Sequence, residues 1–254
     1  MIMTSGPKLV KVLNGHSGSE IYLMQSENLF VRKVGNTKRN IERLTALKDA
    51  GYPVPKILQV NGESFDMEYI HGLDMKSYLV ANDTRQLEIF LHQVLDNFKQ
   101  TWFDQYSDYT PVYEKKLEWM DTTTEIFPFT KQELIDKLPK ILPKTMYFGD
   151  LTLENILYSD KGFKLIDAVT IEYDSYIFDI AKLRQDLECR WFLRKETMRL
   201  GSKLVTIQDR LLKKYPEANN DYLLILMLLR VFLHTTKGDF EYEFIMKEIK
   251  RLWK

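Results

Sequence analysis

The chain is short of the residues that mark covalent or metal-based scaffolding. A single cysteine, Cys189, in 254 residues excludes an intrachain disulfide framework. Four histidines, His16, His71, His92 and His234, show no pair at metal-ligand spacing, which argues against a zinc site. Lysine plus arginine and aspartate plus glutamate both number 36, so no net field draws in nucleic acid or an anionic membrane. No apolar run reaches transmembrane length, and no signal-peptide core follows Met1. The expectation is a cytoplasmic protein with no transmembrane segment and no nucleic-acid partner. Glycine is sparse at 11 residues, and no complete G-x-G-x-x-G occurs. What remains is an ordinary globular composition, 44% hydrophobic and 28% charged, in a chain long enough for one large domain or two small lobes. Nothing in it specifies an oligomeric state.

The patterning changes character near residue 71. Before it, short β-rich runs dominate: Lys8 to Leu13, Glu20 to Gln25, Leu29 to Val34, and Lys56 to Val60 joined to Glu63 to Ile70 by the hairpin signal Asn61-Gly62. After it, apolar residues recur at helical spacing, as in Leu87, Phe90, Leu91, Val94, Leu95, Phe98 and again from Leu223 to Phe232. An exception before residue 71 is a helix from about Thr37 to Asp49, with Ile41, Leu44 and Leu47 as its apolar face and Gly51, Pro53 and Pro55 as stop signals. The string Ile70 to Asp74 reads as a linker, with Asp74 able to cap the helix that follows. Of the aromatics Trp102, Tyr106, Tyr109 and Tyr113, packing onto the domain is the plainer reading and lining a pocket the alternative.

The most chemically suggestive stretch is Tyr147 to Asp167, YFGDLTLENILYSDKGFKLID. Two apolar runs, NILYS and FKLID, flank the turn Ser159-Asp160-Lys161-Gly162, and that hairpin would return Asp167 to the side of Asn155. A carboxylate and an amide oxygen there suit a hard cation such as magnesium. Asp150 would then be left to accept a hydroxyl proton, the arrangement that phosphoryl transfer from a magnesium nucleotide requires.

At these residues the chain resembles the aminoglycoside phosphotransferase and choline kinase superfamily, whose pattern is H-G-D-x-x-x-x-N followed by I-D. Protein kinases would carry Arg before the Asp and Phe-Gly after the metal-binding one, whereas this chain has Gly149 and Ala168-Val169. The resemblance implies an α+β, bilobal protein-kinase-like fold. A small antiparallel-sheet lobe, residues 1–70, would bind nucleotide, and a larger helical lobe, residues 71–254, would carry the catalytic loop and the acceptor site. It implies that Gly15, Ser17, Gly18 and Ser19 cover the nucleotide phosphates and that Lys33 clamps them. It also makes Met67, Glu68, Tyr69 and Ile70 the hinge against the nucleobase of ATP or GTP. Asp150 becomes the catalytic base, Asn155 and Asp167 the magnesium ligands, and Asp179, in D-I-A-K-L, a brace for the catalytic loop.

Two positions depart from the family pattern. Phe148 stands where a scaffold histidine is usual, and counting back from the L-x-x-x-G-x-P-V-P string lands on Asn40 where a lysine-pairing glutamate is expected. Glu42 is the nearest glutamate and the expected partner of Lys33, an unpartnered Lys33 being the rival. Asp174 reads as a helix cap, and Lys182, Gln185, Asp186 and Arg190 as a solvated or acceptor-facing surface. The implied activity is magnesium-dependent transfer of a γ-phosphoryl to a small-molecule hydroxyl, with sugar-like cell-surface precursors, amino alcohols and aminoglycosides as candidate acceptors. The alternatives are a catalytically silent nucleotide-binding module and a kinase acting on a protein hydroxyl.

Overall fold

The computed structural model describes residues 6–13, 19–101, 105–122, 126–197 and 199–254. The chain runs β1 (Lys8–Leu13), β2 (Glu20–Gln25), β3 (Leu29–Val34), α1 (Lys38–Asp49), β4 (Ile57–Asn61), β5 (Ser64–Glu68), β6 (Leu73–Asp74) and α2 (Met75–Ala81). It continues with α3 (Arg85–Gln100), β7 (Tyr106–Asp108), α4 (Thr110–Lys116), α5 (Lys131–Lys137), β8 (Ile141–Pro143), β9 (Ile156–Ser159) and β10 (Gly162–Leu165). Four further helices close it: α6 (Tyr176–Leu187), α7 (Gly201–Lys214), α8 (Asp221–Phe232) and α9 (Phe240–Leu252).

Two compact units result, Met1–Tyr78 with Glu154–Ile171, and Leu79–Leu153 with Glu172–Lys254. Residues 154–171 therefore belong to the same unit as the amino-terminal sheet.

The first unit is built on an antiparallel sheet in the order β1-β2-β3-β5-β4. Asn61 pairs with Ser64 across the β4–β5 hairpin, so the turn residues are Gly62 and Glu63, one step beyond the expected pair. Alternation along β3 sends neighbouring cations to opposite faces. Arg32 meets the buried Asp66 of β5 through two hydrogen bonds of 2.7 and 2.8 Å, while Lys33 is buried on the other face. Helix α1 starts one residue after Thr37 and buries Asn40, Leu44 and Leu47. It stops at Gly51, whose φ of 83° lets Tyr52 N donate to Leu47 O and Gly51 N to Lys48 O, a Schellman closure that a side chain would strain. In the same unit β10, β9 and β6 form a second sheet with Ile156 opposite Leu165 and Leu73 opposite Tyr158. The expected linker thus contributes a strand, and Asp74 Oδ1 accepts from Ser77 N at the start of α2.

The second unit is helical apart from the β7–β8 ribbon. Helix α3 buries Leu87, Leu91, Val94, Leu95 and Phe98, as its periodicity predicts. Helix α8 is buried at every position from Leu223 to Leu229, the mark of a helix enclosed on all sides. Helix α6 is buried at all twelve positions although it carries Asp179, Lys182, Arg184, Gln185 and Asp186. Ser175, not Asp174, caps it, with the Ser175 hydroxyl accepting from Ile177 N. Asp174 instead accepts from Tyr109 Oη and pairs with Lys144. Tyr109 and Tyr113 are core residues and Tyr106 is exposed, while Trp102 lies outside the described residues. No helix is long and apolar enough to cross a membrane among the described residues.

Candidate active site

In the first unit, the lysine strand, the first turn of α1 and the end of the β9–β10 hairpin converge. The hairpin closes as its turn chemistry predicts, with Ile166 N donating to Asn155 O at 2.9 Å. Asp167 follows in the left-handed region, φ 61°, a backbone state that costs a non-glycine residue about 1–3 kcal/mol. What holds it is α1: Asn40 Nδ2 donates to Ala168 O (2.8 Å) and to Asp167 Oδ1 (3.2 Å), and Arg39 and Thr170 exchange two further hydrogen bonds. Lys33 Nζ meets Asp167 Oδ1 at 2.5 Å, with the lysine side chain 2% exposed and the aspartate 37%.

Lys33 is therefore partnered, but not by Glu42. Glu42 lies on the outer side of α1, half exposed, 4.0 Å from Lys38, one turn earlier on the same helix. The reason is angular: the helix presents Asn40, Leu44 and Leu47 inward, and two residues on from Asn40 is about 200° around the axis. Asn40 occupies the inward position itself and, being neutral, cannot compete with Asp167 for the lysine.

The remaining expected nucleotide residues fall as follows. Met67 and Ile70 are buried, and Glu68 N donates to Lys56 O (2.9 Å) as β5 ends. Tyr69 packs edge-on against His71. Ser19 is half-buried just before β2, and Gly15, Ser17 and Gly18 lie outside the described residues.

In the second unit, the loop carrying Asp150 is held by one face of α6. Residues three and seven apart return to one side of a helix, so Asp179, Lys182 and Asp186 line a single stripe. Asp179 accepts from Phe148 N (2.5 Å) and Gly149 N (2.9 Å), and Asp186 accepts from Leu153 N (2.6 Å). Phe148 fills the space beneath and is fully buried, so the bracing expected of a histidine comes through the backbone amide. Gly149 takes a φ of 97°, which turns the chain so that its carbonyl faces Arg230 of α8.

Between these anchors Lys182 Nζ approaches Asp150 Oδ1 at 3.3 Å and donates to Gln185 Oε1 at 3.2 Å. Burial pushes the Lys182 ammonium below its ordinary value, against the opposing pull of Asp150. Arg230 Nη2 stands 4.0 Å from the same Asp150 oxygen, and its guanidinium lies over the ring of Tyr173. Asp150 itself is about one-third exposed, with two cations at its back. In this neighbourhood Tyr173 Oη and Gln185 Nε2 are buried and have no hydrogen-bond partner among the described residues.

Lys182, Gln185 and Asp186 are thus neither solvated nor a surface, and Arg190 lies beyond α6 in a left-handed turn. A signal was present in D-x-x-K-x-x-x-D, three charged residues that helical spacing places on one stripe. Arg230 escaped because a lone arginine in YLLILMLLRVF reads only as an interrupted core helix.

The model of the phosphotransferase enzyme family matches residues 10–202. No curated protein matches the sequence. Among solved structures, a fructosamine-3-kinase candidate from Thermobifida fusca aligns with a TM-score of 0.60 at 15% identity, over 97% of this chain and 95% of that one. The choline kinase LicA from Streptococcus pneumoniae aligns at 0.55 and 17%, over 96% and 94%. The amicoumacin kinase hAmiN, solved with AMP-PNP, Ca2+ and Ami, aligns at 0.58 and 16%, over 96% and 88%. At these identities the likeness speaks for the fold, an α+β protein-kinase-like architecture.

Proposed function

The chain belongs to the phosphotransferase enzyme family and is a small-molecule kinase, and we propose that it transfers the γ-phosphoryl of ATP or GTP to a hydroxyl of a small molecule with the help of magnesium. In the transfer the acceptor oxygen forms a bond to the γ-phosphorus, the bond from that phosphorus to the β,γ-bridging oxygen breaks, and the nucleoside diphosphate leaves with its electrons. The acceptor proton passes to Asp150. The observation that carries the reading is the meeting of Lys33 and Asp167, 134 residues apart in sequence, at 2.5 Å. A buried lysine brought to a strained, half-exposed aspartate serves phosphate and metal binding better than it serves stability.

Asn155 and Asp167 would hold magnesium. Their carboxylate and amide oxygens match its preference for few protein ligands, completed by water and phosphate oxygens. Once bound, the ion would neutralise charge on the transferring phosphoryl. Lys33 orients the α- and β-phosphates, with Gly15, Ser17, Gly18 and Ser19 covering them and the chain from Met67 to Ile70 facing the nucleobase. Asp179 and Asp186 keep the Asp150 loop fixed, so that positioning provides most of the acceleration. In this reading the nucleotide falls to the lobe of residues 1–70 and the acceptor to that of residues 71–254, in a cytoplasmic enzyme.

A phosphate-transfer screen with ATP and GTP against sugars, amino alcohols and aminoglycosides tests the proposal. Asp167→Ala is expected to abolish turnover and metal-dependent nucleotide binding while the protein stays folded. Wild-type turnover in a folded Asp167→Ala protein would remove the reading. Phosphate appearing only on a protein would replace the acceptor class.

A further inference from the structure

Among the described residues five arginines hold carboxylates closely, Arg32, Arg184, Arg194 and Arg251 at 2.7 to 2.9 Å and Arg210 with Glu88. Arg230 is different. Its contacts are the Gly149 carbonyl (3.3 Å), the Met227 thioether (3.4 Å) and the face of Tyr173, and its nearest carboxylate, Asp150, stands off at 4.0 Å. The guanidinium also sits on a helix whose other residues from Tyr222 to Phe232 carry no charge. Placing a cation there costs stability, because its desolvation is met only by weak or neutral partners. The side chain nevertheless keeps 24% exposure, beside an Asp150 that is 33% exposed.

The surroundings add to the positive bias. Lys182 stands behind Asp150, and Glu172, next to Tyr173 in the chain, is shared by Lys115 and Lys116. The acids on the inner side, Asp179 and Asp186, are buried and accept backbone amides of the loop.

We infer that Arg230 is a specificity-determining residue that selects acceptors bearing an anionic group, a carboxylate or a phosphate, close to the hydroxyl that is phosphorylated. The inference rests on the assignment of Asp150 as the proton acceptor. A hydroxyl in hydrogen-bond reach of Asp150, about 2.6–3.2 Å, places substituents on the same or the next carbon beside the guanidinium. Guanidinium forks suit carboxylate and phosphate oxygens, which can accept two of its N–H donors at once. An ammonium on the acceptor would face the Arg230 guanidinium, with Lys182 behind Asp150 offsetting the pull of that carboxylate, a repulsion on the order of 10- to 100-fold in affinity at several ångströms and an effective dielectric near 20. Polycationic and quaternary amine acceptors are thereby disfavoured.

Matched acceptor sets test this: glycerol, glycerate, glycerol phosphate and aminopropanediol, and glucose, glucuronate and glucosamine, each assayed with magnesium and ATP or GTP. In at least one set the anionic member is expected to exceed the neutral and amino members in kcat/KM by roughly 10-fold or more, the scale of a charge-assisted hydrogen-bond pair. Arg230→Gln should bring that ratio towards one, mainly through KM for the anionic acceptor, and Arg230→Lys should restore part of it. Melting curves establish that the variants fold, and if Arg230→Gln does not, the wild-type ranking and Arg230→Lys decide.

Preference for the amine, or an equal loss on every acceptor in Arg230→Gln, would overturn the inference, the second outcome assigning the guanidinium to the transferred phosphoryl. Nucleotide hydrolysis that needs Asp150 but is never accompanied by phosphorylation of an anionic alcohol would also overturn it and leave the kinase reading standing. Failure of all turnover, including slow hydrolysis, in the wild-type enzyme would overturn both.

Discussion

Replacing Asp179 with asparagine separates bracing of the catalytic loop from the chemistry of the loop itself. Asp179 is 3% exposed, and its two oxygens each accept a loop amide, from Phe148 at 2.5 Å and Gly149 at 2.9 Å. Hydrogen bonds to a buried carboxylate contribute about 1.5–3 kcal/mol each. The asparagine keeps one acceptor oxygen and turns an N–H group against the other donor. One bond is then lost, the other weakened, and one buried N–H left unpaired, for a total of about 2–4 kcal/mol. In a protein of this size each kcal/mol lowers the melting temperature by about 2–4 °C, so Asp179→Asn should melt roughly 4–16 °C lower. Because the freed amides immediately precede Asp150, kcat should fall at least 10-fold at a temperature where the variant is folded, with KM for nucleotide changing far less. Differential scanning calorimetry and steady-state kinetics measure the two effects. A variant that melts within 1 °C of wild type (about a quarter of the smallest expected shift) and turns over normally would refute the bracing argument.

Gly149→Ala should lower kcat and stability together, because φ of 97° strains any L-residue by about 1–2 kcal/mol and the neighbouring Asp150 moves with the backbone; kinetics and melting curves of the variant check it. Asn40→Asp sets a second carboxylate against Asp167 Oδ1 and the Ala168 carbonyl, and should weaken metal-dependent nucleotide binding about 10-fold by calorimetry, whereas Glu42→Gln should leave it within 2-fold. Lys182→Met should melt at or above the wild-type temperature near neutral pH while losing activity, since the buried ammonium trades stability for the state of Asp150. The Lys182 folded pKa lies below the ordinary lysine value of 10.5, so the cost of burying its charge is fully present below the folded value and relieved as pH rises from it towards 10.5. The melting gap between the two proteins should therefore narrow over that range.

Much was legible in the sequence because local chemistry decided it. The stop at Gly51, the β4–β5 turn near Gly62, the β9–β10 hairpin and the apolar face of α3 depend on residues within a few positions of one another. Asp179 was also readable, through its place in D-I-A-K-L. The partner of Lys33 was not. Local counting could only offer the nearest glutamate, while the actual partner arrives from 134 residues away and is admitted because Asn40, not Glu42, points inward.

The sequence by itself determined which residue types were on hand, the order of strands and helices, and the candidates Lys33, Asp150, Asn155 and Asp167. Only the tertiary structure decided what surrounds them. Burying every side of α6 obliges its polar residues to find partners, and for Asp179, Lys182 and Asp186 those within reach are the loop amides and Asp150. Enclosing α8 brings a guanidinium to that carboxylate from far down the chain. Charge at a site depends on distances between segments remote in sequence, and these exist only once the core has packed.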